Sequence, residues 1–149
     1  MPEDELSRDT EAILSKYKTV AVVGLSRDPS KDSHAVASYL NYHGYEIIPV
    51  NPFCEEVLDK RCYPSLLEIP EETAKRIEIV DIFRPPSDVP TIVDQAIKLR
   101  EKYSKPEVIW MQLGITNEEA AKAAKDAGMS VVMNRCTKIE HLRMNSSGD

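Results

Sequence analysis

Arg27, Lys31 and Arg84 are the side chains whose placement points most directly at chemistry. Each follows an apolar run, in segments reading GLSRDPSKDS and RPPS. Basic groups converging on one edge of a sheet would hold an anion. A hydrogen bond to a charged partner contributes roughly 1.5–3 kcal/mol, so two or three outweigh an unfavourable overall charge. The bland alternative is that Arg27 and Lys31 are solvated cations neutralised by Asp28 and Asp32.

Groups able to make or break covalent bonds are fewer. Cys136 with His141, or Ser26 with His34, would pair a nucleophile with a base, yet neither spacing defines a catalytic unit. His34 suits a helix terminus, His43 a capping or exposed position beside Gly44, and His141 a C-terminal tail. Asp81 reads as a buried or paired carboxylate within a strand, and Glu118 and Glu119 as acids favoured by a helix N-terminus. No catalytic residue is expected. The three cysteines, Cys54, Cys62 and Cys136, are an odd number without CxxC spacing. Reduced thiols are expected, with neither a disulfide framework nor a metal site.

The scaffold for these groups is an alternation of strand and helix. Residues 19–23, TVAVV, form a buried-strand run that turns at Gly24 and crosses a polar segment into a helix, with Asp32 or Ser33 as N-cap and Val36, Ala37 and Leu40 inward. Gly44 closes that helix. Further strands are expected at 45–50, 77–83, 108–111 and 130–133, with helices from about Pro90 and, through a Thr116/Glu119 capping box, up to Ala127. An opening helix near 7–17 carries Leu6, Ile13, Leu14 and Tyr17 on one face. Residues 53–76 read only as an extended piece and a short turn between Pro64 and Pro70, and 135–149 as a tail. The fold class is therefore α/β: a doubly wound, five-stranded parallel sheet with helices on both faces, in three αβα layers.

A chain of 149 residues, 42% hydrophobic and 30% charged, suits one domain over residues 1–149. No apolar run reaches the ~20 residues that span a bilayer, and the acidic N-terminus is unlike a signal peptide. A cytoplasmic protein is expected. The net charge of −6 disfavours nucleic acid, whose binding requires clustered cations.

Ligands of such sheets bind beyond the carboxyl ends of the strands. The loops there are 24–31, Asn51-Pro52, 84–87 and 112–115. The first has one glycine where a dinucleotide fingerprint has three, and strand two ends in Pro49-Val50-Asn51-Pro52 without the acid that bonds the NAD ribose. Both features move the balance from NAD toward a more anionic nucleotide.

The ordered set VVGLSRDPSKDS, IIPVNP, DIFRPPSDVP, VIWMQLGIT and VVMNRC resembles the small stand-alone coenzyme A-binding proteins, relatives of the CoA-binding domain of succinyl-CoA synthetase α subunits. The resemblance spans about residues 10–143. It implies a Rossmann-like fold binding coenzyme A or an acyl-CoA. By position, Gly24, Ser26 and Arg27 meet the phosphates, and Asn51 and Pro52 flank the adenosine; Lys31 and Ser33, from the same loop and helix start, are expected with them as binding residues. Phe83, Arg84 and Pro85 line the nucleotide and pantetheine, and Gln112, Leu113 and Gly114 form the loop after strand four. The synthetase phosphohistidine belongs to a domain this chain lacks, so that activity does not transfer. An NAD(P)-dependent oxidoreductase and a CoA-handling subunit that needs a partner are the alternatives, and a homo-oligomer is open. Cys136 lies where a CoA thiol could emerge, so a mixed disulfide and a plain reduced thiol are both open.

Overall fold

The computed structural model describes residues 3–147, with side chains from 9 to 145. Five parallel strands form its centre: β1 (Thr19–Val23), β2 (Glu46–Val50), β5 (Ile79–Ile82), β6 (Val108–Met111) and β7 (Ser130–Val132). A short antiparallel hairpin, β3 (Glu56–Val57) and β4 (Lys60–Arg61), forms a second, two-stranded sheet. The sheet order is β2-β1-β5-β6-β7. The chain therefore winds outward from β1 to one edge, returns, and winds outward from β5 to the other. The switch point falls between β1 and β5, where Val23 is in register with Ile82. A crevice between the two following loops is the inevitable product of that reversal.

β1, β5 and β6 are buried almost throughout, which explains their unbroken Val, Ile and Ala content. Against one face pack α1 (Glu3–Lys16), α2 (Asp32–Tyr42) and α6 (Thr137–Ser147), through Leu14, Val36, Leu40 and Met144. Against the other pack α4 (Val89–Tyr103) and α5 (Glu118–Asp126), through Val93, Ala96 and Ala120, together with the one-turn α3 (Glu71–Ala74). The three layers and Rossmann-like topology agree with the sequence reading. Ile13, Leu14 and Tyr17 of α1 join the core as expected, while the Leu6 side chain lies outside the described residues.

Three details differ. The segment expected as a tail, residues 135–149, holds α6 (Thr137–Ser147) among its described residues, with Thr137, Glu140 and His141 docked inward. Residues 53–76 hold the β3–β4 hairpin, a 3-10 turn at Leu66–Glu68 and α3. The cap of α5 is Asn117, not Thr116, and its side chain accepts the Ala120 N–H at 2.9 Å.

Candidate functional site

The turn after β1 begins at Gly24, whose φ of +92° and close surroundings both exclude a side chain. A Cβ there would stand 2.9 Å from the Phe83 carbonyl and 3.0 Å from Arg84 Cδ. The Gly24 N–H donates to the Val50 carbonyl at 2.8 Å. Backbone thus passes close to backbone at the switch point, drawing the ends of β1, β2 and β5 into one rim.

Beyond Gly24 the loop is braced from within. The Ser26 N–H donates to Ser33 Oγ at 2.9 Å, and the Asp28 N–H to Ser26 Oγ at 3.0 Å. Asp28 accepts from the Ser30 N–H and hydroxyl at 2.9 and 2.8 Å, bonds that hold its carboxyl below the usual range. Ser33 therefore serves the loop and does not cap α2; the cap position is Lys31, with no side-chain cap bond. His34 Nδ1 lies 2.9 Å from the Ser26 carbonyl, so it positions the loop backbone and does not activate the Ser26 hydroxyl. Arg27 and Lys31 are exposed, and neither forms an ion pair with another described residue. The alternative of neutralisation by Asp28 and Asp32 holds only in part: the Lys31 charge helps to hold the Asp28 carboxyl down, but no ion pair joins them.

Two cavities flank the Phe83-Arg84 segment. One, of about 340 Å³, is lined by Gly24, Val50, Pro52, Phe53, Arg84 and Ile92. Asn51 stands at its edge with its amide committed: Nδ2 donates to the Leu25 carbonyl at 2.9 Å, and Oδ1 accepts the Phe53 N–H at 2.8 Å. Arg84 pairs with Asp88 at 2.9 Å, with both side chains nearly half exposed. Such a solvated pair is weakly held and can exchange its carboxylate for another anion.

The second cavity, of about 400 Å³, is lined by Phe83, Gln112, Leu113, Cys136, Ile139 and the first turn of α2. Gln112 is fixed from below. Its Nε2 donates to Asp81 Oδ1 at 2.6 Å and to Thr137 Oγ1 at 3.0 Å, and the Thr137 hydroxyl donates to Asp81 Oδ2 at 3.1 Å. Both amide hydrogens are used, which leaves the carbonyl oxygen for the cavity. Burial pushes the Asp81 carboxyl up to about 7, against the opposing pull of Gln112 and Thr137. Asp81 and Thr137 support the site, and sequence reading assigned neither to it. Their signal was a charged residue inside a strand of Val and Ile, which demands a buried partner.

Pro85 and Gly114 line neither cavity. Pro85 precedes the 3-10 turn that leads into α4, and the Gly114 N–H donates to Asn134 Oδ1 at 2.6 Å, tying the loops after β6 and β7 together. The Cys136 and His141 pair does not form: His141 Nδ1 lies 2.7 Å from the Tyr39 hydroxyl and 3.3 Å from Asn145 Nδ2. His141 is buried, not a tail residue. Among the described residues, no group of three or more metal-ligating side chains is gathered, and no helix is long and apolar enough to cross a membrane.

A family model described as CoA binding domain matches residues 18–142. The uncharacterized protein YneT of Bacillus subtilis is 37% identical over 133 residues, covering 89% of this chain and 92% of its own. Subunit alpha of the ADP-forming acetate–CoA ligase II of Pyrococcus furiosus is 31% identical over 135 residues; the match covers 85% of this chain and 28% of that subunit. Among solved structures, a hypothetical protein from Pyrococcus horikoshii superposes with a TM-score of 0.85 at 43% identity, over 97% of this chain and 96% of that one.

Proposed function

The chain belongs to the CoA binding domain family, and from that premise we propose that it holds coenzyme A or an acyl-CoA across the carboxyl ends of its parallel strands. The observation that carries this reading is the pair of cavities on either side of Phe83-Arg84. CoA has two unlike halves, a phosphorylated adenosine and an apolar, amide-bearing arm. The cavity beside Gly24, Pro52 and Arg84 suits the first half, with prolines and Phe53 against the base and Arg84 toward phosphate. The cavity beneath Leu113 and Ile139 suits the second, where the fixed Gln112 carbonyl oxygen accepts from an amide N–H or a thiol. Arg27 and Lys31, without ion pairs among the described residues, serve the pyrophosphate from the rim, beside the N-terminus of α2.

The reading is of a carrier or sensor of CoA. The match spans 28% of the ligase subunit, so the proposal covers binding of CoA and not the ligase reaction. The cytoplasm, with its CoA pool, is the proposed compartment.

Calorimetric titration with CoA tests the proposal. Wild-type protein is expected to bind CoA more tightly than NAD or NADP. Arg84→Ala is expected to weaken CoA about tenfold, equivalent to about 1.4 kcal/mol. Absence of CoA binding at millimolar concentration, or tighter binding of NADP, overturns it.

A further inference from the structure

Cys54 and Cys62 line neither cavity of the proposed site, yet their sulfurs lie 3.3 Å apart, and both thiols are free. The backbone builds this proximity. β3 and β4 pair Glu56 with Arg61 and Val57 with Lys60, and Leu58 and Asp59, with φ of +54° and +61°, close the hairpin between them. The Cys62 N–H then donates to the Glu55 carbonyl at 2.8 Å, which sets the Cys62 side chain against the residue just before the hairpin. A hydrogen-bonded ladder thus holds the two thiols together across eight positions of sequence.

Their surroundings give them different roles. Cys62 is only 6% exposed and donates its S–H to the Asn51 carbonyl at 3.5 Å. Burial, with Cys54 beside it, pushes its thiol up to about 12, so its proton stays on. Cys54 is less buried and opens onto a broad concavity with Pro52, Phe53 and Arg61, within reach of a small reagent.

We propose that Cys54 and Cys62 are a redox-active dithiol that a hydroperoxide converts into an intramolecular disulfide. Cys54 sulfur attacks the terminal peroxide oxygen, the O–O bond breaks, and the thiol proton passes to the leaving oxygen, giving Cys54 sulfenic acid and an alcohol or water. Cys62 sulfur then attacks Cys54 sulfur; the S–O bond breaks, and the hydroxyl leaves as water with the proton of Cys62. The two thiols are oxidised by two electrons and the peroxide is reduced. Closing the sulfurs from 3.3 Å to about 2.05 Å falls to Cys54, because Cys62 is tied into the ladder and Cys54 is in the loop before it. Two equivalents of a small thiol reverse the reaction by exchange through a mixed disulfide. Cys136, which lines the arm cavity on another element, takes no part.

The test uses the full chain, reduced, freed of reductant, treated with hydrogen peroxide, alkylated and digested with trypsin. Lys60 and Arg61 lie between the two cysteines, so cleavage separates them unless the sulfurs are joined. The expected result is a Cys54 peptide linked to a Cys62 peptide, with Cys136 still alkylated and dithiothreitol undoing the link. Cys136→Ser is expected to leave the link intact, and Cys62→Ser to leave a sulfenic acid at Cys54 that dimedone traps. Alkylation of all three thiols, a sulfinic acid at Cys54 without the link, or a link through Cys136 overturns the proposal. Should Cys62→Ser fail to fold, the peptide map of Cys136→Ser decides the matter alone.

Discussion

Asp81 is a carboxylate with no exposure at all, set in the central strand beneath Gln112. Its ordinary value of 3.8 rises to about 7 in the fold, chiefly through burial. Between those two values the native protein keeps a proton that the unfolded chain has released. Stability from this group is therefore full below about pH 4 and declines as pH rises to about 7, at a slope of at most about 1.4 kcal/mol per pH unit. Asp81→Asn is expected to remove the decline. Urea unfolding of wild type and variant between pH 4 and pH 8 checks it, and parallel profiles would show that the carboxyl ionises without hindrance. Above pH 7 the ionised carboxylate accepts from both Gln112 and Thr137, so the amide that faces the arm cavity is held in one orientation.

At the scale of elements, α6 carries the opposite pH dependence. His141 is packed among Tyr39, Tyr45 and His43, and burial, with help from His43 and Lys18, holds its imidazole below 6.5. The unfolded chain then takes up a proton that the native helix refuses. Stability is present above pH 6.5 and is lost as pH falls through the folded value. His141→Gln should flatten that acid-side loss by thermal unfolding between pH 5 and pH 7.5; an unchanged profile would mean that the ring titrates as if free.

The same helix shows what the sequence could and could not disclose. β1, β5 and β6 were legible because strands buried on both faces admit little but Val, Ile and Ala. The loops that frame the candidate site follow directly from them. In α6 the buried positions are Thr137, Glu140 and His141, whereas Ile139 and Leu142 are 45% and 46% exposed. Apolar spacing therefore marks the wrong face. Inward-facing polar groups are satisfied by distant partners, as when the Thr10 hydroxyl donates to Glu140 at 3.0 Å, and no local pattern reveals a partner so remote. The segment 53–76 was opaque for a related reason: a two-residue hairpin has too few positions to establish a period of two. Arg84 and Gln112 were expected at the site from their place after strands, and Phe83 from the family resemblance alone; all three line the candidate cavities. Asp81 and Thr137 were not, because their role passes through Gln112.

For the whole molecule, the two hydrophobic clusters lie on opposite faces of one sheet, and the proposed ligand would touch loops from β1, β2, β5 and β6 together. Binding should then stabilise the described residues as one cooperative unit. At a CoA concentration of one hundred times Kd, linkage adds about 2.7 kcal/mol to unfolding. Differential scanning calorimetry is expected to show a single transition that moves upward intact with CoA. A transition that splits, leaving one part at its ligand-free temperature, would refute the single-unit reading.

The ridge of Phe83 and Arg84 between the two cavities also makes the proposed recognition bivalent. A nucleotide without the arm, or an arm without the nucleotide, reaches one cavity and pays its full loss of translational freedom alone. Joined, the first half to land presents the second at a high effective concentration, provided the tether spans the ridge. The ridge thus acts as a ruler: it sets the ligand length at which two weak half-sites become one strong one, and it discriminates against shorter fragments without contacting any atom that distinguishes them.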